Sequence, residues 1–138
     1  MKDSVTKTGK SLNESGEITS GIFKTYMEAI NSKDFSRVSK LLHENAVFYI
    51  DKKAQASLKQ IEAYHEYFWN TVKDSKFWAS DINVAHSDGK CHVYLYQYNF
   101  SGYIDGKFVE GSGRSTDVFV LNDITKQWQL LHEHSSGD

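Results

Sequence analysis

Residues 91–121 read CHVYLYQYNFSGYIDGKFVEGSGRSTDVFVL. Two long runs of alternating character flank Asp105-Gly106, the dipeptide best suited to a two-residue type I′ turn between antiparallel strands. Strands are therefore expected over 91–104 and 107–121. So short a turn leaves the pairing almost no freedom. Ile104 faces Lys107, Asn99 faces Ser112, Gln97 faces Arg114, Leu95 faces Thr116 and Val93 faces Val118. On the opposite face Tyr98 meets Gly113, Phe100 meets Gly111 and Tyr96 meets Ser115. A large ring over a glycine covers bare backbone.

Outward from this hairpin, period-two alternation predicts a strand over Phe77–His86, and another over Gln127–Ser135 after a turn at 122–126. Hydrophobic matching sets Trp128 opposite Val120, Leu130 opposite Val118, His132 opposite Thr116 and His134 opposite Arg114. Before the strands the period is helical. Ile22, Phe23, Tyr26, Met27 and Ile30 form one apolar helix face, with Thr19 or Ser20 as N-cap. Phe35, Val38, Leu41 and Leu42 form a shorter helix behind Asp34. Val47–Ile50 is a short strand, 51–57 a loop, and Leu58 to about Val72 a third helix. Helices followed by a four-strand meander predict an α+β domain with the helices on one sheet face.

The totals fit one domain over 18–138, after a flexible polar tail at 1–17. Net charge is −2, from 16 basic and 18 acidic residues, which argues against nucleic acid as a partner. There is no basic run for a membrane surface and no apolar run of the ~20 residues a bilayer span needs. The first residues lack the apolar core of a signal peptide, and the single cysteine, Cys91, fits a reducing compartment. A cytoplasmic location is expected.

One sheet face runs from apolar (Val93, Leu95, Val118, Val120, Trp128, Leu130) to polar (Gln97, Asn99, Ser112, Arg114, His132, His134). The expectation is that the helices cover this face and leave a pocket where it turns polar. Arg114, His134, Gln97, Asn99, Tyr26, Trp69 and Trp128 are the candidate ligand contacts. Arg114 suits a carboxylate through its planar fork. His134 and Asp51 are candidate bases for acid–base chemistry. His132 and His134 share a face, as some metal sites need, but no third ligand has zinc-site spacing; no metal and no cofactor is expected. The other face, with Tyr94, Tyr96, Tyr98, Phe100 and Phe119, is expected to point outward as a homodimer surface. Asp117 and Glu133 fall on that face and read as interface or solvated acids.

The run Arg114-x-Thr116-Asp117-Val118-Phe119, then Trp128-x-x-x-His132-Glu133-His134-Ser135-Ser136, resembles the SnoaL-like branch of the NTF2-like superfamily. That branch also includes relatives of the calmodulin-dependent kinase association domain. Ala29-Ile30-Asn31-Ser32-Lys33-Asp34 is similar to the family's turn before its second helix. The resemblance spans about residues 18–136. It implies a cystatin-like α+β cone, a pocket between helices and concave sheet with Arg114 projecting into it, and a homodimer through the convex sheet face. Isomerase members use a carboxylate base with a tyrosine and a protonated acid as oxyanion hole; Asp51 and Tyr26 stand nearest to that set by location. Three functions are expected to compete. The first is binding of a small, partly apolar acid or carbonyl compound. The second is isomerase- or cyclase-type acid–base catalysis in the same pocket, and the third is an association module.

Overall fold

The computed structural model describes residues 21–138, together with the backbone of two paired two-residue strands, β1 (Ser4–Val5) and β2 (Ser11–Leu12). The rest of the expected tail lies outside the described residues. Helices α1 (Ile22–Ser32) and α2 (Phe35–Ser39) come next, then β3 (Leu42–Ile50), β4 (Lys53–Gln55) and α3 (Leu58–Thr71). Four long strands complete the chain: β5 (Lys73–Ser87), β6 (Cys91–Ile104), β7 (Lys107–Leu121) and β8 (Trp128–Gly137).

The expected elements are present, with shifted ends. Helix α1 starts behind Gly21, at φ 93°, and not behind a hydroxyl cap. Asp34 caps α2, accepting the Ser36 N–H, and Ser57 caps α3 by accepting the Gln60 N–H. The expected meander is part of a larger sheet of order β4-β3-β8-β7-β6-β5. The presumed loop after β3 holds β4, which pairs back on β3. Strand β3 then pairs parallel with β8, carrying the N-terminal half of the fold onto the edge of the meander.

Strands β6 and β7 pair in the predicted register throughout, from Ile104 opposite Lys107 to Val93 opposite Val118. Asp105 and Gly106 both have positive φ, at 51° and 79°, as a type I′ turn requires. Strand β5 carries three register shifts against β6, with Asp74 and Asp81 in the left-handed region. Such bulges bend a sheet and give it a concave side.

That concave side is the reverse of the one expected. Tyr94, Tyr96 and Phe119 are fully buried in this single chain, and Tyr98 and Phe100 are partly buried beneath the helices. They do not form an outward surface for a second subunit. Phe23 of α1 packs on Tyr94, Tyr96 and Phe119 with ring centroids 4.6, 5.1 and 6.3 Å away. The outer face carries Leu95, 38% exposed, with Val93, Gln97, Asn99, Arg114, Thr116 and Val118. The physical reason is area. Each buried large ring contributes about 1.5–3 kcal/mol, and ring pairs add about 0.5–1.5 kcal/mol. The aromatic face therefore gains more from cover than the face of Val, Thr, Gln and Arg.

The last strand adds a second correction. Phe119 pairs with Leu130 and Val118 with His132, so Leu131 is an extra residue on β8. This bulge reverses the alternation. Leu130 and Trp128 lie on the inner face with Phe119, and His132 and His134 lie on the outer face with Val118 and Thr116.

Candidate functional site

A cavity of about 220 Å3 opens between α1, α3 and the concave face of the sheet. Helical spacing places Tyr26 and Ile30 of α1, and Tyr64, His65, Phe68 and Trp69 of α3, along its walls. Alternate residues of β6, Tyr98 and Phe100, line another side. Glu133 and Ser135 of β8 form the floor, and Asp51, just beyond β3, lies at the rim. The volume is below the ~300–1,000 Å3 of sites for drug-sized ligands, so it suits a compound of about one ring.

The floor belongs to a buried polar ladder. Ser115 stands opposite Ser135, and Asp117 opposite Glu133. The two serine hydroxyls are 2.6 Å apart. Tyr96 donates its hydroxyl to Asp117 Oδ2 at 2.9 Å, and Tyr26 lies 3.4 Å from Glu133 Oε1 as a long donor. The two carboxyls are neighbours across the strand pair, where a proton on one would let it donate to the other. Asp117 is fully buried, and its Oδ1 meets no N–H or hydroxyl donor. Burial, then the neighbouring Glu133 charge, lifts its pKa well above the usual carboxylate range. Burial also raises Glu133, while hydrogen bonds from Asp117 and Tyr26 partly hold it down. Both acids are thus drawn toward the protonated form, and Glu133 is the member that lines the cavity.

The tyrosines register this charge. Tyr64 is held neutral first by burial, then by Glu133, Tyr98 and Asp51. Tyr98 is raised first by burial, then by Asp51, Asp138 and Glu133. His65 donates its Nδ1–H to the Ile61 carbonyl at 2.8 Å, since that carbonyl can only accept. Burial lowers its pKa, so the ring is neutral with Nε2 as an acceptor. Asp51 is anchored at both ends. Its N–H donates to Ser135 O at 2.7 Å and its Oδ1 accepts the Gly137 N–H at 2.8 Å.

Of the residues expected at the site, the structure brings Tyr26, Trp69 and Asp51 together. Arg114, Gln97, Asn99 and His134 are on the outer face and do not line the cavity. Asn99 bonds Ser80 Oγ at 3.0 Å and accepts from Gln97 at 2.9 Å; His134 packs edge-on to Tyr49. Trp128 is on the inner side but stacks on His92 at 4.0 Å, away from the cavity. With Arg114 on the outer face, no lysine or arginine is among the described lining residues, and the cavity offers an acidic ligand no ion pair. No group of His, Cys, Asp and Glu among the described residues is placed to hold a metal ion.

Asp117 and Glu133 were not expected here. Their signal was present, as two acids set within the most apolar alternation of the chain. Like charges directly opposite on a sheet are destabilising, so a buried pair of this kind marks a functional site better than an outward-facing acid does.

The model of the SnoaL-like domain family matches residues 20–137. Among solved structures, a calcium/calmodulin-dependent protein kinase II association domain assignment from Xanthomonas campestris superposes with a TM-score of 0.75 at 21% identity, covering 100% of this chain and 95% of that one. A nuclear transport factor 2-like superfamily protein from Salmonella enterica serovar Typhimurium gives 0.73 at 19% identity, covering 84% and 85%. A protein from Streptomyces avermitilis, assigned as a dehydratase of the NTF2-like family, gives 0.72 at 14% identity, covering 85% and 91%. At these identities the likeness establishes the fold alone. No curated protein matches. With its helices over a curved six-stranded sheet and a match across nearly the whole described chain, the protein belongs to the SnoaL-like domain family.

Proposed function

We propose that this chain binds a small, partly apolar compound in the cavity between α1, α3 and the concave sheet. The apolar part sits between aromatic walls, and one polar group meets Glu133. The observation that carries this reading is Glu133 at the cavity floor with Asp117 beside it on the neighbouring strand. A buried acid beside a partly buried one costs stability, which is why such a pair points to a site. The test is tryptophan emission, because Trp69 lines the cavity while Trp78 and Trp128 do not. A panel of single-ring ketones, alcohols and amines should include compounds that quench saturably, with the effect lost in Trp69→Phe. Quenching that is absent, or that survives Trp69→Phe, would remove the reading.

A second reading, acid–base catalysis on a carbonyl compound, rests on Glu133 itself. It is a carboxylate with a raised pKa, backed by a second acid, and it suits proton abstraction beside a carbonyl. Acetophenone in deuterated buffer should then exchange its methyl protons faster with the protein than with Glu133→Gln, followed by proton NMR. Equal rates would leave only binding.

Self-association and a cytoplasmic location remain in the proposal. Tyr49, Trp78 and Leu95 are 46%, 46% and 38% exposed on the outer face, away from the cavity. A monomer mass by light scattering would end the homodimer part. No helix among the described residues is long and apolar enough to cross a membrane.

A further inference from the structure

The walls and floor of the cavity carry one sign of charge. Glu133, with buried Asp117 beside it, presents a carboxyl at the floor, and Asp51 places a second carboxyl at the rim. Between them stand ring systems, Tyr26, Tyr64, Phe68, Trp69 and Tyr98, whose faces are electron-rich. No lysine or arginine among the described lining residues offsets the two acids. His65 is neutral, with Nδ1–H committed to a backbone carbonyl. Lys33 reaches the cavity's edge, where its ammonium donates to the Ser75 carbonyl, and Lys33 itself does not line the space. Arg114 lies on the other side of the sheet.

A carboxylate facing so poorly solvated a space calls for a counter-charge, and none stands among the described lining residues. A ligand carboxylate or phosphate would place like charges together in a poorly solvated space. A neutral ring would fill the walls but leave the Glu133 charge uncompensated. A cation meets both demands, because ammonium groups bind favourably over aromatic faces and form charge-assisted hydrogen bonds to carboxylates. We propose that the occupant of the cavity is an organic ammonium, a protonated or quaternary amine on a small apolar frame of about one ring. This deepens the binding reading above and rests on it.

The experiment is calorimetric titration with three compounds of nearly equal size and different charge: 2-phenylethylammonium, 2-phenylethanol and phenylacetate. The ammonium should bind at least about tenfold more tightly than the alcohol, and phenylacetate most weakly. In Glu133→Gln, with the fold checked by circular dichroism, the ammonium should fall to parity with the alcohol. If that variant does not fold, Asp51→Asn serves instead, since its amide oxygen can still accept the Gly137 N–H. It should weaken the ammonium several-fold more than the alcohol. Alcohol binding equal to or tighter than ammonium binding overturns the cation proposal and leaves the binding site standing. An ammonium advantage that persists unchanged in the folded variant also overturns it. Binding by none of the three overturns both.

Discussion

Tyr26 is the residue on which the charge distribution of the site turns. It is buried on α1, and its hydroxyl reaches Glu133 Oε1 at 3.4 Å, near the long limit for a hydrogen bond. Two donors hold the negative charge of Glu133, Tyr26 from the helix side and Asp117 from the neighbouring strand. Removing one should move the proton balance more than it moves stability. Tyr26→Phe is expected to cost about 1 kcal/mol, the ordinary value of one hydrogen bond, measured by urea denaturation. It should also raise the Glu133 pKa further, because the ionised form loses a donor. Carbon-13 labelling of the Glu133 carboxyl gives that titration directly. An unchanged midpoint would mean that the 3.4 Å contact carries no hydrogen bond.

At the scale of elements, β6 and β7 show how rings and glycines interlock. Tyr98 pairs across to Gly113 and Phe100 to Gly111. A Cβ built on Gly113 would lie 2.2 Å from Ser136 O and 2.5 Å from the Tyr98 ring. Gly113→Ala must therefore push β8 and Tyr98 apart, at a cost of about 1–3 kcal/mol. Gly89 has open space around it, and Gly89→Ala should stay within about 0.5 kcal/mol of the parent. Comparable losses in thermal denaturation would refute the steric argument. The hairpin also shows what the sequence could disclose. Asp105-Gly106 fixes one register, so every partner from Ile104 to Val93 could be read in advance. Alternation reveals which residues share a face but not which face is covered. Arg114 and His134 looked inward because polar groups beside Val and Leu suggested a pocket, whereas the rings of Tyr94, Tyr96 and Phe119 had the larger area to bury. Leu131 gave no local warning of its bulge, since a bulge depends on how two strands meet. The parallel pairing of β3 with β8 was hidden for the same reason, being a contact between distant segments.

For the whole molecule, the buried acid pair couples stability to pH. Asp117 and Glu133 have folded-state pKa values raised above their ordinary 3.8 and 4.5. The folded protein thus holds more protons than the unfolded chain once pH exceeds about 4. The pair's contribution to stability is fully present below that point and is lost as pH rises through the raised values. His65 acts in the opposite direction. Its pKa is lowered from 6.5, so its contribution is present above that pH and is lost as pH falls. The two trends separate in a comparison with Glu133→Gln, because His65 is common to both proteins and cancels in the difference. Thermal scans from pH 4 to pH 8 should show the variant close to the parent at pH 4 and increasingly more stable above it. By pH 8 the gain should reach about 1 kcal/mol or more, roughly 3–5 °C for a chain of this size. The ammonium-binding experiment should move in the opposite direction, with the same substitution removing the cation's advantage. A variant that gained stability and lost the cation together would identify Glu133 as a group kept for its ligand at the expense of the fold. A stability difference that does not grow with pH would mean that the pair carries no excess proton in the folded state, and the account of the cavity floor as a shared-proton carboxyl pair would fail with it.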